Sequence, residues 1–304
     1  MEEKISKSAF CEDSRVKFPT LMHLMGMGFK YVSLKGLKTK YVIAPKTEFD
    51  PLTNILTDYF TEAYNKLNPN VEIGAAGKLL AKIQSSLMND DLGRQFYNEI
   101  LLNTGERIID LSSPANFYKN NTFQVTTEMT CGDKDNDNYR PDITLFVYGL
   151  PLAFIEVKKE NNHKGILAET DRMKQRFVNP KYRRFLNLTQ IMVFSNDMEY
   201  DNNEVTPTIG AFYATIGKKN TKYNCFREEG QDSFPIERHI RQVTLQEEEI
   251  LLRDSNVPQY KNSSEYKTNC LANTPTKRMC DSLFSFNPNR SLGASKLWPT
   301  VFFS

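Results

Sequence analysis

Two carboxylates and one lysine lie close together in a stretch that the sequence predicts to be a β-hairpin. Residues 140–159 form two apolar segments separated by a turn that contains glycine. Asp142 stands at the start of the first segment, and Glu156 and Lys158 end the second. Because side chains alternate between the faces of a strand, Glu156 and Lys158 point the same way. Two carboxylates and an ammonium at one place suit a divalent metal ion, a water molecule and a phosphodiester.

Whether these side chains meet depends on the register of the hairpin. A three-residue turn at 148–150 places Asp142 opposite Glu156, with Cβ atoms about 4.5–5.5 Å apart. A two-residue turn at 148–149 places Asp142 opposite Ile155, on the wrong face. A metal site therefore predicts the longer turn or a β-bulge. The alternative is an exposed strand end with an ordinary cross-strand ion pair.

The composition excludes several other classes of site. The 304 residues include 39% hydrophobic and 25% charged residues with a net charge of +2, so nucleic-acid affinity requires local basic patches. The five cysteines are scattered, which argues against a disulfide framework or a zinc site and fits a reducing cytoplasm. With three histidines far apart, a histidine-based metal site is not expected. No apolar run is long enough for a membrane span.

Helices and strands alternate irregularly around the hairpin. Apolar periodicity indicates helices at 51–67, 73–88 and 166–177, and β-rich apolar runs indicate strands at 107–111, 122–127, 190–195 and 211–216. This order predicts an α/β fold with a mixed β-sheet flanked by helices.

A basic segment follows the hairpin and is interleaved with aromatic residues. We predict that it contacts DNA phosphates, because lysine and arginine supply non-specific affinity for a nucleic-acid backbone. The alternative is an amphipathic helix with a solvated basic face. The residues concerned are Arg172, Lys174, Arg176, Lys181, Arg183 and Arg184.

The hairpin resembles the nuclease signature of type I restriction endonuclease R subunits (HsdR). Those subunits have a similar Pro-Asp, an apolar strand, a glycine-containing turn and Glu-Leu-Lys or Glu-Val-Lys, as in Glu156-Val157-Lys158 here. The resemblance extends over about residues 15–230 and includes the segments 92–97, 121–125, 190–200 and 210–215. It implies a PD-(D/E)xK restriction-endonuclease-like core, Mg²⁺ dependence and a double-stranded DNA substrate.

The resemblance also implies a role for each residue of the signature. Asp142 and Glu156 would hold Mg²⁺, the Val157 carbonyl would be a further ligand, and Lys158 would orient or activate the attacking water. The implied protein is the endonuclease domain of a type I site-specific deoxyribonuclease. The alternatives are a non-catalytic module for DNA binding or docking in the same complex, and a stand-alone repair-type nuclease.

Three departures from the family pattern limit what is carried over. Glu169 and Met173 stand where R subunits often have a Gln-x-x-x-Tyr motif, so their role is left open. Pro19 falls near the position where many such nucleases have a first-helix glutamate, so no ligand is assigned there. The chain has no Gly-x-x-x-x-Gly-Lys-Ser/Thr, so ATP is expected for the full-length subunit only.

The expected organisation is an endonuclease domain at residues 1–245, followed at 246–304 by a linker and a truncated approach to a helicase-like motor. Partners implied by the resemblance are double-stranded DNA and the methyltransferase and specificity subunits of a cytoplasmic complex.

Overall fold

A mixed seven-stranded β-sheet organises the chain in the computed structural model. The structure describes residues 12–38, 40, 43–102, 105–112, 117–131, 139–159, 162, 164–196, 211–215, 224–225 and 243–254. Within these residues the strand order is β1-β4-β5-β6-β7-β8-β9, and a separate hairpin pairs β2 with β3. The α/β fold with a mixed sheet is as predicted.

The sheet contains both parallel and antiparallel strand pairs. Strands β4, β5 and β6 form an antiparallel meander, β7 lies parallel to β6, and β1 lies parallel to β4. The bounds are β1 (Lys30–Tyr31), β2 (Leu37–Lys38), β3 (Ile43–Ala44), β4 (Phe123–Thr127), β5 (Ile143–Val147), β6 (Leu150–Val157), β7 (Ile191–Ser195), β8 (Ala211–Thr215) and β9 (Asn224–Cys225).

Helices cover both faces of the sheet. They are α1 (Phe18–Gly26), α2 (Thr57–Leu67), α3 (Ala75–Ser86), α4 (Phe117–Asn120), α5 (Gly165–Val178), α6 (Arg183–Leu188) and α7 (Leu245–Asp254). Two π-helical turns, Asp13–Lys17 and Phe96–Leu101, and a 3₁₀ turn, Pro180–Tyr182, accompany them. Strands β6 and β7 are parallel, and helices α5 and α6 form the crossover that connects them. Among the described residues, no helix is long and apolar enough to cross a membrane.

The alternation of side chains along β6 divides the core into two layers. Ile155 and Val157 are fully buried in a large cluster with α1, α2 and α3. Phe154, one residue away, belongs to a second cluster beneath α5 and α6, which also contains Tyr139 and Phe194. Glu156 lies two residues after Phe154 on the same strand and therefore faces the same side of the sheet, towards α5.

The hairpin between β5 and β6 combines a two-residue turn with a bulge. Tyr148 and Gly149 have φ values of 50° and 79°, the positive pair required for a type I′ turn. Val147 consequently pairs with Leu150, and a register shift after Leu145 leaves one extra residue on β6. The three-residue turn was therefore wrong, whereas the bulge that the sequence allowed is present.

Three other sequence expectations need correction or lie outside the described residues. Residues 107–111 form no strand, because Asn68 accepts from the Arg107 N–H and Asn121 from the Asp110 N–H, which leaves these groups unavailable to a strand partner. The first of the expected helices begins at Thr57 rather than near residue 51. Most of 246–304 lies outside the described residues, so the division at residue 245 stays a prediction.

Candidate active site

The three charged side chains of the hairpin meet at the end of β6. Continuing the register from the Ile143–Ile155 pair places Asp142 opposite Glu156. The Lys158 Nζ lies 4.0 Å from Asp142 Oδ2 and 3.8 Å from Glu156 Oε2. These ion pairs are longer than hydrogen bonds, so the ammonium lies between the two carboxylates without being fixed by either.

Backbone groups of β6 hold the site in place. The Val157 N–H donates to Asp142 Oδ2 at 2.9 Å, which orients that carboxylate towards the strand end. The Lys158 Nζ donates to the Val157 carbonyl at 2.9 Å, and the Lys158 N–H donates to the Ser195 carbonyl of β7 at 2.7 Å. All three residues of the signature are thus attached to the central sheet rather than to a loop.

Glu156 is a buried carboxylate with one firm hydrogen bond. It is 5% exposed, and the Tyr139 hydroxyl donates to its Oε1 at 2.7 Å. Burial raises the pKa of Glu156 well above its ordinary value, and the charges of Asp142 and Glu169 raise it further, against the Lys158 ammonium and the Tyr139 hydrogen bond. A cation at this place would favour the ionised carboxylate.

Helix α5 brings a third carboxylate and two arginines to the site. Glu169 is 1% exposed, and its Oε2 lies 3.6 Å from Lys158 Nζ. Arg172 and Arg176 each donate to one Glu169 oxygen at 2.8 Å. The Arg176 guanidinium also lies 3.8 Å from the centre of the Tyr139 ring, whose hydroxyl binds Glu156. The α5 network therefore contacts Lys158 directly and Glu156 through Tyr139.

The N-terminal π-helical turn reaches the site from the opposite layer. Lys17 is buried, and its Nζ lies 2.9 Å from Asp13 Oδ1 and 3.1 Å from Asp142 Oδ1, and it donates to Glu128 Oε1. Burial lowers the pKa of Lys17, but Asp142, Glu128 and Asp13 outweigh it and leave that pKa above its ordinary value. Burial raises the pKa of Glu12 above its ordinary value. The Lys158 ammonium lowers this pKa and the Asp142 carboxylate raises it, but burial has the largest effect.

The sequence did not identify Lys17 or Glu128 as part of the site. Lys17 and Glu128 are 111 residues apart, and no local pattern relates either of them to the hairpin. By contrast, Glu169, Arg172 and Arg176 have a detectable signal, since residues three and seven positions apart share one helix face.

The donor atoms at the strand end fit a hard divalent cation. Mg²⁺ prefers oxygen ligands, and the available oxygens are those of Asp142, Glu156 and the Val157 carbonyl. We call the connected charged residues the charged cluster; with all of them ionised it has two more negative than positive charges, matching one divalent ion. Its carboxylates are Glu12, Asp13, Glu128, Asp142, Glu156 and Glu169, and its cations are Lys17, Lys158, Arg172 and Arg176.

The described side chains do not by themselves form a preformed cage for a metal ion. Within the described residues, no three histidine, cysteine or carboxylate side chains have the arrangement of a metal site. Two carboxylates and a carbonyl are consistent with that finding, and such a site leaves several ligand positions for water and substrate.

The basic segment is only partly available for DNA. Arg172 and Arg176 are engaged by the buried Glu169, and Lys174 pairs with the exposed Asp171 at 2.8 Å. Arg183 donates to the Met88 carbonyl at 3.3 Å. Lys181 and Arg184 are half-buried, in the 3₁₀ turn and at the start of α6. Contact of these six residues with DNA stays a prediction.

Comparison with known proteins identifies a family match. A family model described as "Type I restriction enzyme R protein N terminus" matches residues 10–205. The matched range contains α1, the hairpin, α5 and β7, and so includes every residue of the charged cluster. No curated protein matches the chain significantly.

Proposed function

Because the chain belongs to the family of type I restriction enzyme R protein N termini, we propose that it is a Mg²⁺-dependent endonuclease module that hydrolyses phosphodiester bonds of double-stranded DNA. The observation that carries the proposal is the meeting of Asp142, Glu156 and Lys158 at the end of β6. The family description supports a nuclease of a restriction system, and the oxygen donors support the metal.

Each residue of the site has a separate task in this proposal. Asp142, Glu156 and the Val157 carbonyl hold the ion, which when bound polarises a phosphoryl oxygen and acidifies water. Lys158 orients the attacking water and offsets the charge of the phosphate. Tyr139 fixes the orientation of the Glu156 carboxylate through the 2.7 Å hydrogen bond to its Oε1.

The setting of the reaction also follows from the family. We propose that the module acts in the cytoplasm within a complex whose methyltransferase and specificity subunits choose the DNA. ATP serves the motor of the full-length subunit in this proposal. If the purified chain binds metal but cuts no DNA in any context, the rival function of docking within that complex gains support.

A plasmid assay tests the proposal. Supercoiled DNA is incubated with the purified protein in Mg²⁺, in Mn²⁺ and in EDTA, alone and with the remaining subunits. We expect nicking that needs metal and falls by about 100-fold or more in Glu156→Ala and in Lys158→Ala. Lys158→Ala should still bind Mn²⁺ by calorimetry, whereas Asp142→Ala with Glu156→Ala should not.

A matched control separates loss of chemistry from loss of charge. Lys78 of α3 forms an exposed pair with Glu72 at 3.3 Å. Lys78→Ala therefore removes one lysine that is not part of the charged cluster, and the variant should nick normally. Far-ultraviolet circular dichroism verifies that each variant is folded. Undiminished nicking by folded Lys158→Ala, or by the wild type in EDTA, contradicts the proposed mechanism.

A further inference from the structure

Lys17 is a buried lysine that no part of the proposed reaction employs. It is 4% exposed, although lysine is almost never buried unless it is paired. Its single ammonium contacts Asp13, Glu128 and Asp142. The contact with Asp142 is made through Oδ1, so that the two oxygens of this carboxylate serve different partners, Lys17 on one side and the Val157 N–H on the other.

The backbone around Lys17 is shaped for this contact. A π-helical turn, a rare structure that is frequent at functional sites, carries both Asp13 and Lys17. Glu128 has a φ of 52°, which a residue other than glycine adopts only where the surroundings require it. Its N–H donates to the Asp142 carbonyl at 3.3 Å, so the strained residue lies beside the signature aspartate.

The ligands of the Lys17 ammonium are those of a divalent cation. Three carboxylate oxygens, from Asp13, Glu128 and Asp142, surround one positive charge, and oxygen is the ligand type that Mg²⁺ or Mn²⁺ prefers. With Lys17 present these side chains hold the ammonium and do not have the arrangement of a metal site. One of them is the carboxylate assigned to the catalytic metal. A second divalent ion beside Asp142 would be held by Asp13 and Glu128 as well, and would help to stabilise charge in the reaction, as in two-metal nuclease sites.

We propose that Lys17 is a fixed cation of the active site, which takes the place of a second divalent ion beside Asp142 and leaves one exchangeable metal position. The proposal rests on the proposed function for the identity of that first metal. It makes Lys17 a positioning residue, since its ammonium contacts Asp142, the proposed metal ligand. A purely structural lysine would only tether the π-helical turn to Glu128.

Counting bound Mn²⁺ distinguishes these roles. Free Mn²⁺ is measured by electron paramagnetic resonance during titration of the wild type, of Lys17→Met and of the exposed-lysine control Lys78→Met. Lys17→Met should bind one more ion than the wild type, and Lys78→Met the same number. Adding Asp13→Asn and Glu128→Gln to Lys17→Met retains the methionine but removes two ligands, so the extra ion should be lost.

The difference between variants separates this proposal from the nuclease proposal. A wild type that binds no ion, with a gain of one in Lys17→Met, supports the role of Lys17 and contradicts the catalytic metal. A wild type that binds one ion, without any gain, overturns the role of Lys17 alone. If Lys17→Met is unfolded in EDTA, recovery of its thermal transition in Mn²⁺ supports the proposal, and a variant unfolded in both overturns it.

Discussion

Replacing Arg176 with methionine tests whether the α5 network is held by a buried ion pair. Arg176 donates to Oε1 of Glu169, a carboxylate that is 1% exposed, and its guanidinium lies over the Tyr139 ring at 3.8 Å. Methionine retains most of the aliphatic volume and removes both interactions. Arg172 binds the other oxygen of the same carboxylate but has a side chain 57% exposed, which makes Arg172→Met a matched control.

The two substitutions should lower the free energy of unfolding by different amounts. Breaking a buried ion pair costs about 3–5 kcal/mol, but Glu169 retains Arg172 and Lys158 nearby, so the lower end applies. The lost cation–π contact adds about 1 kcal/mol, and burial of the methionine returns about 1 kcal/mol. The expected loss for Arg176→Met is therefore about 3 kcal/mol, whereas the exposed Arg172 contributes below about 1 kcal/mol.

Urea unfolding followed by circular dichroism measures these losses. Arg176→Met should also lower the melting temperature by about 6–12 °C, at roughly 2–4 °C for each kcal/mol in a domain of this size. In a Glu169→Gln background the cost of Arg176→Met should shrink, because the buried charge is gone. Equal losses for Arg172→Met and Arg176→Met, or additive losses in the double variant, would refute the buried-pair explanation.

Two further predictions concern the turn and the basic segment. Gly149→Ala should destabilise by about 2–4 kcal/mol in urea unfolding, because φ is +79° and a Cβ would lie 2.6 Å from the Leu56 carbonyl oxygen. In contrast, Gly77→Ala, where a Cβ meets no atom within 4 Å inside α3, should stabilise by about 0.5–1 kcal/mol. For DNA, Lys174→Glu with Arg183→Glu should weaken binding and flatten its salt dependence in fluorescence anisotropy; unchanged binding assigns the segment a structural role.

Arg183 and Arg176 differ in their surroundings in a way that the sequence could not show. By sequence, all six basic residues of the segment were equivalent candidates. The structure distinguishes them, because Arg176 is 18% exposed and compensates Glu169, so reversing its charge would place two carboxylates together in the interior. A change in DNA binding by such a variant would report misfolding as readily as a lost phosphate contact.

Local patterns predicted the parts of the site that lie within one or two neighbouring elements. Alternation along β6 and the apolar hairpin were sufficient to place Glu156 and Lys158 on one face. Helix α5 and strand β7 were also correct in type, because their apolar residues have clear periods. Among the residues missed, Lys17 and Glu128 are brought together by tertiary packing over 111 residues of chain, and neither has a local signal.

The turn of the hairpin shows how the site depends on a conflict between two local rules. Tyr148-Gly149 favours a two-residue turn, whose twist matches that of the strands, and the structure has this turn. Without correction that turn would pair Asp142 with Ile155 and move the aspartate away from Glu156. The single extra residue on β6, between Pro151 and Ala153, restores the register but interrupts the ladder of hydrogen bonds. Bringing two carboxylates together in the interior has an electrostatic cost, which Lys17 and Lys158 offset. Because bulges are over-represented next to active sites, the position of this one agrees with the proposed site for a cation.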